Sequence, residues 1–382
     1  MGVLQGIKSK IKHSYILGEA YIRFMKLYYK RLQRKTKINS HQVIFSSFSG
    51  RQFSDSPKAV YEWLKDDPKY ADYNLIWAFV DPSEFPEIDD QHKVTIDTPE
   101  FFNLLFASKY WVANTGIERL IPFNHDGHVY IQTWHGVPLK HLGLDEANLE
   151  FLPKNWYQNV KFDILTCSSE YDQKIFQRIF PSTTNIQPIG LPRNYELVHH
   201  NYNRDETIAK LKLDPKKPIL LYAPTFREYQ QTKSGSTYLT NPFSKETEKW
   251  LSEHYNVLMR GHYFTESIED NPFIDVSGYE DLNELMRVSD LLVTDYSSIM
   301  FDYALLGKPI FLYMYDFDQY LANRGTYVDP REVGLSYSLT ESDFIEQIKN
   351  IDASSEKVKA AKFSQQFNNE NTSKSLSKYF ED

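Results

Sequence analysis

Short runs of β-branched, aromatic and aliphatic residues alternate with stretches of helical period from about residue 42 onward. Val43–Phe48 reads as a strand, Ser49-Gly50-Arg51 as a turn and Pro57–Leu64 as a helix. Leu75–Val80, Tyr110–Ala113, Val129–Thr133 and Phe162–Cys167 follow as strands, with helices over Pro99–Ala107 and Glu170–Phe180. Such alternation indicates parallel βαβ units with helices on both faces. Between 190 and 217 the composition turns loop-like (Gly190-Leu191-Pro192-Arg193, Asp214-Pro215-Lys216-Lys217-Pro218), which places a domain boundary near residue 205. A second series begins there, with strands over Pro218–Ala223, Tyr255–Met259, Phe273–Asp275, Leu291–Thr294 and Ile310–Tyr313 and helices over 245–254, 280–288 and 298–306. Residues 228–242, rich in Gln, Thr, Ser and Gly, read as a mobile loop. The expected fold is α/β: two doubly wound Rossmann-like domains, 41–205 and 206–382, with a cleft between them and ligands beyond the carboxyl ends of the strands.

The first forty residues break this pattern. They carry ten lysines and arginines against Glu19 alone, a balance of +9 that leaves −17 on the rest of a chain whose net charge is −8. Ile11, Tyr15, Ile16, Leu17, Tyr21, Ile22, Phe24, Met25, Leu27, Tyr28, Tyr29 and Leu32 are interleaved with the cations. No apolar run approaches the ~20 residues that span a bilayer, and no signal-peptide core precedes a cleavage site. Segment 1–40 therefore reads as a basic amphipathic helix on an anionic membrane surface, the alternative being a first helix packed on the domain. The acidic remainder weighs against a nucleic-acid partner. The single Cys167 excludes intramolecular disulfides and Cys-cluster metal sites and fits a reducing cytoplasm.

The polar motifs fall at strand ends. His135 follows the strand Val129–Thr133 within Thr133-Trp134-His135-Gly136-Val137-Pro138-Leu139-Lys140. A neutral imidazole there can take a proton from an alcohol; the bland alternative is a ring that only donates to a backbone carbonyl. His262 repeats the arrangement in Arg260-Gly261-His262. Thr225 and Arg227 leave the strand Pro218–Ala223, and Arg193 follows Gly190-Leu191-Pro192. Three arginines beside Gly, Pro or hydroxyl residues suit a polyanion such as a pyrophosphate. In Asp295-Tyr296-Ser297-Ser298 a strand turns into a helix whose free N–H groups and hydroxyls favour an anion. No Gly-x-x-x-x-Gly-Lys-Ser/Thr loop, no Gly-x-Gly-x-x-Gly after the first strand and no Asp-x-Asp pair at a strand end occurs. These absences weigh against a P-loop NTPase, a dinucleotide oxidoreductase and a divalent-metal site.

Taken together, Thr133–Lys140, Tyr222-Ala223-Pro224-Thr225-Phe226-Arg227, Arg260-Gly261-His262 and Asp295-Tyr296-Ser297-Ser298-(x)3-Asp302 resemble the CDP-glycerol glycerophosphotransferase family of teichoic acid synthesis. Phe48–Pro57 and Arg324-Gly325-Thr326-Tyr327 also look like that family. The resemblance implies a GT-B architecture whose last helix returns to the first domain, and peripheral association with the cytoplasmic face of the cell membrane. It also implies transfer of glycerol or ribitol phosphate from CDP-glycerol or CDP-ribitol to an undecaprenyl-linked saccharide or polyol phosphate, with release of CMP and no cofactor. By the same resemblance His135 and His262 are the catalytic histidines, and Arg193, Thr225, Arg260, Ser297, Ser298 and Asp302 hold the CDP-alditol. Trp134, Gly136, Val137, Pro138, Leu139, Phe226, Arg227, Gly261 and Asp295 complete the implied binding set, with no metal ligand. Val137 stands where the family often has Thr. A GT-B glycosyltransferase using a nucleotide sugar remains the competing reading.

Overall fold

Seven strands form the first sheet: β1 Asn39–Ser46, β2 Asn74–Phe79, β3 Lys93–Thr95, β4 Ser108–Ala113, β5 Val129–Gln132, β6 Ile164–Cys167 and β7 Ile186–Pro188. In this computed structural model the strands are all parallel, in the order β3-β2-β1-β4-β5-β6-β7. Later in the chain come β8 Ile219–Ala223, the short β9 Thr237–Tyr238, β10 Asn256–Met259, the short β11 Thr265–Glu266, β12 Ile274–Asp275, β13 Leu291–Thr294, β14 Ile310–Tyr313 and β15 Ser336–Ser338. Six of them make a second parallel sheet, β12-β10-β8-β13-β14-β15, while β9 pairs with β11. The structure describes residues 15–225, 227, 237–238, 241–261, 265–266, 272–369 and 373–380. His262, Phe226, the cations Lys8, Lys10 and Lys12, and most of 228–242 lie outside them.

The two sheets repeat one wiring. In each, the first three strands run outward one way and the chain then crosses back beside the first strand to continue the other way. This is the Rossmann order, and the chain carries the two Rossmann-like units of the GT-B class. Crossover helices cover both faces, so the central strands are largely buried; all five residues of β8 are. Val43, Phe45, Trp77, Phe79, Val112 and Ile131 build one core, and Leu220, Tyr222, Val257, Val293, Phe311 and Phe344 the other.

By contacts, one unit holds the chain up to His135, Leu142–Tyr195 and the end from Asn369; the other holds Gly136–His141 and Glu196–Asn368. Leu376 and Phe380 accordingly pack into the first core, and Tyr73 Oη donates to the Phe380 carbonyl at 2.9 Å. Helix Ala353–Phe367 stays with the second unit, its Phe363 and Phe367 rings against Phe301.

Helix Tyr15–Lys35 buries Ile22 and Tyr29. The Tyr29 ring is enclosed by Phe102, Phe106 and Phe123 and its hydroxyl donates to the Glu118 carbonyl at 3.1 Å. The outward face is unlike that of an ordinary packed helix. Ile16, Phe24 and Leu27 are 77%, 66% and 70% exposed, in line with exposed Arg23, Arg31 and Arg34. Among the described residues no helix is long and apolar enough to cross a membrane.

Candidate active site

The strand order fixes where polar loops converge. Strand order reverses between β1 and β4 in the first sheet and between β8 and β13 in the second, and ligands of such sheets bind beyond the strand ends at that reversal. The loops after these four strands carry Ser47–Arg51, Asn114-Thr115, Thr225 with Arg227, and Asp295–Ser298.

In the first unit His135 leaves β5 two residues after Thr133 and is half-buried. Its Nδ1 lies 2.8 Å from the Asn114 carbonyl oxygen. A carbonyl only accepts, so Nδ1 carries the proton and a neutral ring has its lone pair on Nε2. Trp134 stacks on the imidazole at 4.5 Å and adopts φ 52°, outside the comfortable range for a bulky residue. The Phe48 ring approaches from the β1 loop at 5.8 Å. Asn114 joins these parts: its Oδ1 accepts from Phe48 N at 2.8 Å and its Nδ2 donates to Ser47 Oγ at 3.3 Å. Asn114 lies outside the motifs the sequence singles out, although it directly follows the last residue of β4. Trp134, Gly136, Val137, Pro138 and Leu139 are buried. In the second unit's part of this loop, the Leu139 carbonyl accepts from Tyr327 N at 2.8 Å and the Gly325 carbonyl from His141 N at 3.3 Å. Gly325 has φ 65°, and a Cβ there would stand 2.6 Å from His141 Nδ1, so the Arg324–Tyr327 motif and the loop after His135 are fitted to one another.

In the second unit Thr225 N donates to Asp295 Oδ1 at 2.8 Å, joining the loops after β8 and β13. Thr225 Oγ1 is buried with no hydrogen-bond partner among the described residues. Ser297 and Ser298 are half-buried; Ser297 Oγ accepts from Ile299 N at 3.4 Å and the Ser298 side chain makes no capping bond. The helix that follows is Ile299–Ala304, six residues rather than the expected 298–306, because Leu305–Gly307 close into a turn that ends at Gly307 with φ 61°. Its dipole is correspondingly small. Asp302 is buried within this helix.

Two of the arginines expected at a phosphate are held by carboxylates in this structure. Arg227 is 5% exposed, with Nε 2.7 Å from Asp316 Oδ2, Nη1 2.5 Å from the Thr225 carbonyl, and Nη2 2.8 Å from Asp295 Oδ2 and 3.0 Å from Asp316 Oδ1. Tyr296, Tyr315 and Tyr320 stand around its guanidinium at 5.1–5.6 Å. Burial alone would depress its pKa, but the charges and hydrogen bonds of Asp295 and Asp316 raise it. Arg193 lies in the first unit, 2.5 Å from the buried carboxylate of Asp55. Arg260 differs from both. Its Nη1 donates to the carbonyls of Val276 and Tyr279 at 3.1 and 2.8 Å, and burial lowers its pKa. Gly261 N donates to Ser277 Oγ at 2.8 Å. Among the described residues no group of three or more His, Cys, Asp or Glu side chains is arranged to hold a metal ion.

Residues 28–379 match the family described as CDP-glycerol:poly(glycerophosphate) glycerophosphotransferase. A teichoic acid glycerol-phosphate transferase of Staphylococcus aureus (strain NCTC 8325 / PS 47) is 35% identical over 336 residues, covering 82% of this chain and 85% of its own. Among solved structures, the wall teichoic acid polymerase TagF superposes with a TM-score of 0.78 at 29% identity, covering 95% of this chain and 93% of its own. A form of that polymerase soaked with CDPG gives a TM-score of 0.76 at 27% identity, covering 93% and 91%. With the family matched over most of its length and its motifs at the two strand reversals, the chain belongs to the CDP-glycerol glycerophosphotransferase family.

Proposed function

We propose that this enzyme transfers glycerol phosphate from CDP-glycerol to a hydroxyl of a lipid-linked teichoic acid acceptor and releases CMP. The observation that carries the reading is the orphaned Thr225 hydroxyl beside the Asp295–Ser298 turn at the second unit's strand reversal. A buried polar atom without a partner costs free energy unless a ligand supplies one, and a donor phosphate would do so. The S. aureus relative and the CDPG-soaked polymerase support a glycerol donor. In the proposed step His135 Nε2 takes the acceptor hydroxyl proton and the oxygen attacks the glycerol-bearing phosphorus. The bond to the bridging oxygen of the pyrophosphate breaks, and that oxygen leaves with CMP. Such transfer depends on positioning and charge stabilisation, the part assigned to Thr225, Arg260, Gly261, Ser297, Ser298 and Asp302 with His262. The test is CMP release with CDP-glycerol, CDP-ribitol and UDP-sugars in parallel on a synthetic lipid-linked acceptor, with mass analysis of the product. Addition of glycerol phosphate supports the reading; a sugar adduct overturns it.

Replacing Ser297 and Ser298 together by Ala should raise the donor KM by ~10- to 100-fold, the scale of lost hydrogen bonds to a charged group, while the acceptor KM stays put. Little stability should be lost, because only the 3.4 Å Ser297 contact caps the helix. An unchanged donor KM counts against a phosphate role.

The exposed face of Tyr15–Lys35 is assigned to the anionic membrane surface that holds the acceptor. Ile16, Phe24 and Leu27 would enter the interface while Arg23, Arg31 and Arg34 meet headgroups, at about 1 kcal/mol per cation near the surface. Changing Ile16, Phe24 and Leu27 to Ser should abolish co-sedimentation with phosphatidylglycerol vesicles yet keep turnover on a short soluble acceptor within about 2-fold, since the packed Ile22 and Tyr29 are untouched. Undiminished vesicle binding would make the segment a packing helix only.

A further inference from the structure

The loop after β1 is built more rigidly than a connection needs to be. Phe48, Ser49 and Gly50 occupy positive φ in succession (47°, 58° and 83°), followed by Asp55 at 64°. Non-glycine residues in that region persist only where surrounding bonds hold them, and strain of this kind is stored at functional sites. Here the bonds are explicit. Phe48 N donates to Asn114 Oδ1 at 2.8 Å, Ser49 N to Thr115 Oγ1 at 2.9 Å, and Val80 N to the Gly50 carbonyl at 2.7 Å. A Cβ on Gly50 would lie 3.0 Å from the Ala78 carbonyl oxygen, so the turn presses directly on the neighbouring strand.

This turn presents Arg51, which is exposed and hydrogen-bonded through Nη1 to the Phe48 carbonyl at 3.3 Å. Around the same sheet Arg119, Arg178 and Arg193 each sit on a carboxylate, those of Asp97, Asp145 and Asp55. Arg51 has no carboxylate partner among the described residues. It stands at the first sheet's strand reversal, and the Phe48 that anchors its side chain also packs its ring against His135. A planar fork of donors with no carboxylate partner among the described residues, held to the residue whose ring packs on the proposed base, is suited to a phosphate of the acceptor. We infer that Arg51 is an acceptor-binding residue that recognises the phosphodiester next to the hydroxyl being modified, and so selects phosphate-bearing acceptors over neutral ones. The inference rests on the transfer reaction proposed above.

Two synthetic acceptors test it, one ending in glycerol phosphate and the other in a neutral glycerol ether. Arg51→Gln should raise KM for the phosphorylated acceptor ~10- to 100-fold, the loss of one charge-assisted contact, and leave the neutral acceptor, the donor KM and kcat within about 2-fold. Arg51→Lys, which keeps the charge without the fork, should recover part of the discrimination. A rise in donor KM, or equal effects on both acceptors, overturns the inference. Calorimetric binding of a short glycerol phosphate oligomer separates this from the parent reading because it needs no turnover. Binding at least 10-fold weaker in Arg51→Gln supports the site even if CDP-glycerol proves not to be the donor, whereas equal binding removes it.

Discussion

Replacing His135 by Ala should lower turnover by about 10²- to 10⁴-fold, the usual loss when a positioned general base is removed. The fold should survive, because the ring is half-buried on a loop and the hydrophobic packing around it belongs to Trp134, Phe176 and Phe180. The more searching variant is His135→Asn. An asparagine amide can keep the donation that Nδ1 now makes to the Asn114 carbonyl, but it offers no basic lone pair in place of Nε2. Both variants should be equally inactive in CMP release and retain the wild-type near-ultraviolet circular dichroism. Substantial activity in His135→Asn alone would reduce the histidine to a positioning residue, the bland reading that its carbonyl contact by itself would permit.

What the sequence disclosed and what it withheld divide by distance along the chain. Strands such as β13 and β14 are continuous apolar runs ending in a polar turn, so their bounds and the motifs at their ends could be read locally. The three-residue edge strands β7 and β15 escaped, because Gln187 and Pro188 in one and two serines in the other give no apolar signal. The partners of the arginines were out of reach for a different reason. Arg193 finds Asp55 138 positions away and Arg227 finds Asp316 89 positions away. Nothing in a window of sequence separates an arginine that meets a phosphate from one that meets a distant carboxylate. Position at a strand end is local information, whereas the partner of each guanidinium is set by the tertiary fold. Asn114 illustrates the same limit, since its value lies in joining the β1 loop to His135, a link made by parallel crossovers rather than by spacing.

Arg227→Met should destabilise the second unit by about 3–5 kcal/mol, the scale for breaking a buried ion pair by removing one partner. The reason is what remains: Asp295 and Asp316, 2% and 8% exposed at their side chains, would face each other's charge without the cation that now bridges them. Arg227→Lys should fall between, retaining charge but losing the two-pronged contact with Asp316 and the donation to the Thr225 carbonyl. Urea unfolding followed by tryptophan fluorescence, with Trp250 reporting on the second unit, measures both. A rescue completes the argument. Combining Arg227→Met with Asp295→Asn and Asp316→Asn removes all three charges together and should restore most of the lost stability, since a buried ionic cluster is readily replaced by neutral groups. The rescued protein should keep the turn that carries Ser297 and Ser298, because an asparagine Oδ1 at position 295 can still accept from Thr225 N and Tyr296 N. If instead Arg227→Lys leaves stability unchanged and alters only the donor KM, the guanidinium contacts phosphate after all, and the buried cluster is not what holds the turn.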